Sequence, residues 1–291
     1  MRNPSRGPGR AGSLADSFGV STPPPEETQP SAEELAVRAR SFGAVARDYD
    51  RARPSYTDAM VDAIVALLPG TAVVEVGAGT GKATVLFGVR GLEIACIEPD
   101  PQMAAVLTEN CRELPNVTVT VSAFEDFQAD RLYDGLIAAQ SWHWTDPARR
   151  WSKAASLLRE GGLIALFWNR TQSHLTPLAP AIAEIYHRHQ ISTSAALSED
   201  QTPPAWPRDE MEKQPTLADV EVREYSSVHT YSMQEWCDYM ASTSNLLILE
   251  PAKRLAVLTD LARVIDDEGG GVLEEHRRCD LYLARRTGAA V

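Results

Sequence analysis

The sequence predicts an α/β fold: a doubly wound, mostly parallel seven-stranded sheet with helices on both faces. Three observations predict it. Short apolar runs such as AVVEV (72–76), LEIACIE (92–98) and LIALFW (163–168) recur between helical stretches. These runs are continuously apolar, which marks strands buried on both faces, as in parallel sheets covered by helices. An apolar fraction of 44% over 291 residues is enough to fill the core of such a sheet.

The elements follow in order. Residues 1–30 are rich in Gly, Pro, Ser and Arg, with PPP at 23–25, and are expected to be a disordered tail. Arg2, Arg6 and Arg10 are balanced by Asp16, Glu26 and Glu27, so the tail is a solvated segment and not a basic arm. Residues 31–291 form the folded domain. Ser31 with Glu34 makes a capping box. Phe42, Val45, Ala46 and Tyr49 then share one face of a helix that Pro54 stops. A second helix spans roughly 57–68, and the helices of 31–70 are expected to cap the domain. AVVEV precedes a helix near 80–89, and LEIACIE precedes one near 101–113, with Pro101 suited to its first turn. VTVTVS (117–122) and YDGLIAAQ (133–140) are the third and fourth strands, a helix near 147–159 follows, and LIALFW is the fifth strand.

Residues 170–219 break the rhythm. A helix near 178–190 and the proline-rich TPPAWP (202–207) mark a helical insertion after the fifth strand. VEVREYSSVHTYS (220–232) is a sixth strand. Residues 233–270, with a helix near 251–267, are a second insertion. LYLARR (281–286) closes the chain as an antiparallel edge strand, forming a C-terminal hairpin with the sixth.

Composition narrows the partners. With 40 acidic against 28 basic residues the net charge is −12, which leaves no broad footprint for a nucleic-acid backbone. No run of about 18 apolar residues predicts a membrane span, and the N-terminus has no apolar stretch of a secretory signal. Cys96, Cys111, Cys237 and Cys279 are widely spaced, as in a cytoplasmic protein with reduced thiols. His174, His187, His189, His229 and His276 form no metal set, so no metal is expected.

The turn Gly77-Ala78-Gly79-Thr80-Gly81 carries the chemistry. A dinucleotide fingerprint would need glycine where Lys82 stands. A P-loop would need glycine at Val76 and a hydroxyl at Ala83. The order that fits is acid, x, Gly, x, Gly, x, Gly. Glu75 sits two residues before the first glycine, where an acid would repel a pyrophosphate and suit a cationic ligand. Glu98 ends the second strand, where doubly wound sheets place an acid for ribose hydroxyls. S-adenosylmethionine has a ribose, an ammonium and a sulfonium, and no phosphate.

With VVEVGAGTG (73–81), CIEPDPQMA (96–104), SAFEDF (122–127), YDGLIAAQSWHW (133–144), LLREGGLIALFWN (157–169) and the lead-in FGAVARDYDRARPSY (42–56), the chain resembles the class I S-adenosylmethionine-dependent methyltransferases, most closely the small-molecule type 11 group. The resemblance covers about residues 40–170. It implies that Gly77, Ala78, Gly79 and Gly81 surround the methionine part, with Glu75 below. It implies Glu98 on the ribose, Pro99 and Met103 on the adenine, and Ala123, Phe124 and Glu125 at the adenine edge. Ala139 and Gln140 would border the methyl, and Tyr49 and Arg53 would close over the pocket.

Methyl transfer is a displacement on an activated carbon, for which alignment supplies roughly 7–11 kcal/mol, so no catalytic constellation is compulsory. His143, in Gln140-Ser141-Trp142-His143-Trp144, is the candidate base; the alternative is that it only walls the pocket. Trp142, Trp144, Trp168 and Asn169 are the acceptor-side candidates, with Tyr186, Trp206, Tyr231, Trp236 and Tyr239 as outlying ones. The expected activity is methyl transfer to a small organic acceptor. The alternatives are a non-catalytic cofactor-binding or partner-binding domain and an NAD-dependent oxidoreductase. Macromolecular acceptors are disfavoured by charge and by the lack of an Asn-Pro-Pro-Tyr-type tetrapeptide after the fourth strand. The oligomeric state is left open.

Overall fold

The computed structural model of the protein describes residues 46–191, 205–247 and 249–288. The expected tail, the Ser31/Glu34 capping box, the Phe42 and Val45 positions and the first half of TPPAWP lie outside the described residues.

Seven strands form one sheet in the order β3-β2-β1-β4-β5-β7-β6. They are β1 (Ala72–Val76), β2 (Glu93–Glu98), β3 (Val117–Val121), β4 (Tyr133–Ala139), β5 (Leu158–Thr171), β6 (Leu217–Ser232) and β7 (Val272–Arg286). The first five are mutually parallel, and β7 runs antiparallel to both β5 and β6. Burial follows position in the sheet. Central β1 is buried at every residue, whereas outer β3 and β6 alternate between half-buried and exposed. The Thr, Ser and charged residues spaced along TVTV and VEVREYSSVHT suit that solvated outer face.

Helices cover both faces. On one side Met60, Val61 and Ile64 of α2 (Asp58–Leu67), Phe87 of α3 (Thr84–Gly88) and Leu107 of α4 (Pro101–Asn110) pack with Val73, Ile137 and Phe167. On the other, Trp151, Ala154 and Leu157 of α5 (Arg150–Leu157) pack with Val74, Leu136 and Leu166. Local chemistry starts the helices. Thr57 caps α2, and Asp100 caps α4 by accepting from the N–H groups of Gln102 and Met103, with Pro101 in the first turn. Helix α2 therefore belongs to the sheet's cover and not to a cap over the pocket. That position is left to α1 (Ala46–Ala52).

Three further sets of residues complete the chain: α6 (Ala179–Arg188), α7 (Arg208–Glu212), and α8 (Met233–Ala241) through α9 (Ser244–Leu247) to α10 (Pro251–Asp267). Ile182, Tyr186, Trp236, Tyr239, Leu261 and Ile265 form a separate helical core. A capping box of Ser232 with Glu235 starts α8.

Two expectations need correction. The C-terminal strand is antiparallel as expected, but it lies inside the sheet between β5 and β6, and β6 takes the edge. Its run of fifteen residues reaches back to Val272, beyond the apolar LYLARR, because the charges of Glu275, Arg277, Arg278 and Asp280 are buried in pairs. Trp142 was expected at the acceptor; it is 0% exposed, wedged between Phe124 and Trp151 with ring centres 5.6 and 5.0 Å away. Trp142→Ala is expected to lower stability by about 3–5 kcal/mol in urea denaturation, the usual cost of removing a buried tryptophan.

Candidate functional site

The sheet order reverses at β1, with β2 and β3 on one side and β4 and β5 on the other. Connections leaving β1 and β4 diverge there, and open sheets bind ligands in the crevice this makes at the strands' carboxyl ends. A cavity of about 470 Å³ opens at that point. It falls within the range of roughly 300–1,000 Å³ usual for small-molecule sites.

The glycine turn forms its floor. Gly77 and Gly79 have φ of +63° and +61°, left-handed values that favour glycine. The N–H groups of Gly77 and Ala78 both donate to the carbonyl of Ile97, at 2.8 and 3.2 Å, which staples the turn to the end of β2. A Cβ at Gly77 would lie 2.6 Å from the Cβ of Ser141, so glycine is what lets β4's exit pass close. Gly77, Ala78 and Gly79 line the cavity. Gly81 does not; a Cβ there would meet Leu107 at 2.6 Å, so its smallness seats α4 against the turn.

Two acids flank this turn. Glu98 is 5% exposed and lines the cavity. Its Oε2 accepts from the Gly79 N–H at 2.8 Å and its Oε1 from the Asp100 N–H at 2.9 Å. Burial pushes its carboxyl up to about 7, against the pull of those two backbone donors. Glu75 is 1% exposed and stands behind the turn, not on the cavity wall. Its Oε2 accepts from the Thr84 hydroxyl at 2.7 Å, tying β1 to the start of α3, and its Oε1 has no partner among the described residues. Burial raises it to about 7 as well, with the Glu98 charge adding to the effect.

The walls come from the other expected positions. Pro99, Met103, Ala123, Phe124 and Glu125 line one side, and Ala139 and Gln140 the other. Glu125 Oε1 accepts from the Asp146 N–H at 2.7 Å. Gln140 has φ +54°, donates its backbone N–H to Phe167 O at 2.8 Å and its side-chain amide to the Tyr56 hydroxyl at 3.4 Å. Tyr49 of α1, and Arg53 just after it, close the top. The Arg53 guanidinium lies 4.8 Å from the Tyr49 ring centre and donates to Ser242 O at 3.0 Å.

His143 and Trp144 line the cavity beside Thr145. Residues 142–144 form a 3₁₀ turn, in which successive side chains point about 120° apart. That geometry sends Trp142 into the core while its two neighbours face the cavity. His143 Nδ1 accepts from the Trp168 indole N–H at 3.2 Å. Burial, then the charges of Arg150 and Arg170, lower His143 to about 4, so it is neutral at pH 7.

Trp168 and Asn169 are not on the cavity wall. Trp168 is buried against Trp206 and Tyr282, at 5.3 and 5.8 Å, and Asn169 is tied to Ser55 O at 3.1 Å. Tyr186, Trp236 and Tyr239 pack in the helical core, Trp206 lies on Trp168, and Tyr231 borders a different hollow. Tyr56, Thr80, Lys82 and Ser141 are cavity residues that sequence reasoning missed. Lys82, which in sequence only breaks the dinucleotide fingerprint, has its Nζ 3.7 Å from Asp50 of α1, joining the turn to the helix above it.

Comparison with known proteins agrees with this geometry. Residues 74–166 match the model of the methyltransferase domain. An uncharacterised methyltransferase of Mycobacterium tuberculosis is 38% identical over 138 residues, 46% of this chain and 54% of that protein. A Saccharomyces cerevisiae protein named as a probable S-adenosylmethionine-dependent methyltransferase is 30% identical over 148 residues, 48% of this chain and 50% of that one. The match therefore spans about half the length of these curated relatives. A solved structure from Anaeromyxobacter dehalogenans, described as a type II methyltransferase, shares the fold with a TM-score of 0.60 at 20% identity, over 81% of this chain and 99% of that one. Residues 74–166 are thus similar to a methyltransferase domain, and the sheet around them has the fold of a solved methyltransferase structure.

The raised acids have a measurable consequence. Between about pH 4.5 and 7 the unfolded chain has lost the protons of Glu75 and Glu98 while the folded protein still holds them. Stability from these groups is thus highest at acid pH, falls as pH rises through that window and is level above it. In the ligand-free protein, Glu75→Gln is expected to flatten this fall in chemical denaturation from pH 5 to 7. An unchanged slope would place the cause elsewhere.

Proposed function

We propose that the protein transfers a methyl group from S-adenosylmethionine to a small organic acceptor held in this cavity. One observation carries the reading: the Glu98 carboxylate at the cavity wall, with one oxygen engaged by the Gly79 N–H. A phosphate-binding turn directs such N–H groups at the ligand. Here the carboxylate takes that donor and adds a negative charge, which disfavours a dinucleotide pyrophosphate. Each carboxylate oxygen keeps a lone pair for a ribose hydroxyl. Thr80, a residue of the same wall, has a buried hydroxyl with no hydrogen-bond partner among the described residues. The name of the yeast relative supports the same cofactor.

When bound, the cofactor supplies a methyl group on a sulfonium. The chain's own residues do the rest. Glu98 would orient the ribose, Phe124 and Met103 would flank the adenine, and Tyr49 and Arg53 would cover the site and exclude water. Gln140, pinned by Tyr56 and Phe167, fixes the wall beside the acceptor. The small-molecule acceptor fits a cavity of this size better than a polymer does.

Glu98→Ala is expected to weaken S-adenosylmethionine and S-adenosylhomocysteine binding well over tenfold in calorimetric titration, with NAD giving no heat for the parent protein. Unchanged affinity, or binding of NAD alone, would overturn the reading. Ligand hydroxyls that donate to Glu98 need its ionised form. With its carboxyl near 7, affinity should therefore fall about tenfold for each pH unit below 7 and level off above it. Titrations in buffers of different ionisation enthalpy would then report the release of a proton on binding at pH 6.

A further inference from the structure

We propose that His143 presents a fixed Nε2–H donor to the cavity, and that the group it holds is an anionic oxygen, a carboxylate, on the methyl acceptor. The second half of this inference rests on the methyl-transfer reading; the first half does not.

The indole N–H of Trp168 can only donate, and it points at His143 Nδ1 at 3.2 Å. Nδ1 is therefore the bare, accepting nitrogen. A neutral imidazole with a bare Nδ1 carries its proton on Nε2, and the ring stays neutral because Arg150 and Arg170 oppose a further charge in a buried place. The bond from Trp168 is the one hydrogen bond the His143 ring makes among the described residues, which leaves Nε2 unengaged, and the residue lines the cavity. To serve as a base, Nε2 would have to be bare, with the proton on Nδ1. Two N–H groups would then face each other across 3.2 Å, losing a part-buried hydrogen bond. Trp168 thus turns His143 from a base into a donor.

The other titratable groups at the cavity do not replace the missing base. Glu98 is held by two backbone N–H groups and Glu125 by the Asp146 N–H. Tyr49 and Tyr56 are kept protonated by burial, and the Lys82 ammonium faces Asp50. Among the described residues, an acceptor that must first lose a proton finds no group at the cavity to take it other than the Glu98 and Glu125 carboxylates, which this reading assigns to the cofactor. A carboxylate has none to lose. Its oxygen forms a bond to the methyl carbon as the carbon–sulfur bond breaks with its electron pair left on sulfur. The products are a methyl ester and a neutral thioether, so the positive and negative charges cancel and no proton moves. Arg53, at the same cavity, has no acidic partner among the described residues and adds positive potential for such a ligand.

Imidazole ¹⁵N resonances of the full chain test this, with His143 assigned by comparison with His143→Gln. At pH 7 the parent protein should show His143 with an unprotonated Nδ1 and a protonated Nε2. Trp168→Phe, which keeps the apolar contact but removes the indole donor, should give a mixture of tautomers. A purely structural histidine would keep its tautomer in that variant. Acetate, added to protein with S-adenosylhomocysteine, should shift the His143 Nε2–H resonance downfield and saturably, whereas ethanol and methylammonium should not. A protonated Nδ1 in the parent overturns the donor. A shift with ethanol or methylammonium only, or none with acetate, overturns the carboxylate. If calorimetry shows no S-adenosylhomocysteine binding, the methyl-transfer reading fails while the tautomer still decides the donor, and acetate is then added to the free protein.

Discussion

The grip of one carboxylate on two backbone N–H groups organises the ligand end of this protein. Glu98 reaches from the tip of β2 to Gly79 and to Asp100. The first contact holds the glycine turn in its left-handed path, and the second fixes the residue that caps α4. Turn, strand and helix thus share one anchor, and the anchor is itself a cavity wall. The cost is an acid buried where ionisation is disfavoured, with the Asp100 charge adding repulsion. A ligand that donates hydrogen bonds or brings positive charge relieves that cost, which links the burial of this acid to the chemistry the cavity can take.

The opposite wall depends on a different constraint. Ser141 donates its hydroxyl to Val76 O, and Gly77 must lack a side chain for Ser141 to come that near. This close passage of β4's exit over β1's exit starts the 3₁₀ turn that divides Trp142 from His143 and Trp144. The core side of that turn is locked by Phe124 and Trp151, so the cavity side has little freedom. Trp168, from β5, then sets the protonation pattern of His143. Packing in the core therefore reaches the cavity wall through aromatic contacts.

The strand β7 joins the sheet to the helical part. Asp280, 0% exposed, pairs with Arg170 of β5 at 2.7 Å and with Arg278 of its own strand. Arg277 pairs with Glu275 and donates to the Tyr231 hydroxyl at 2.9 Å, beside the α8 aromatics. The Tyr239 ring centre of α8 lies 5.7 Å from the Arg53 guanidinium, which also meets the Tyr49 ring and Ser242 O. The cover of the cavity is thus held by the helical core as well as by α1.

Sequence by itself determined the parallel half of the sheet, the glycine turn and the acid at the end of β2. Apolar runs, glycines and strand-end acids are local signals whose meaning depends little on distant residues. The strand β7 was legible only in its apolar LYLARR end, since buried charged residues mimic a solvated loop until their partners are known. Tertiary structure alone decided which face each residue of Trp142-His143-Trp144 presents, because a 3₁₀ turn rotates neighbours apart and no period in three residues reveals the direction. It also decided that Gly81 seats a helix, that Glu75 stands behind the turn, and that Trp168 serves His143 from inside the core. Each of those roles is set by an atom more than twenty residues away in the chain or on another element, and a linear pattern carries no such distance.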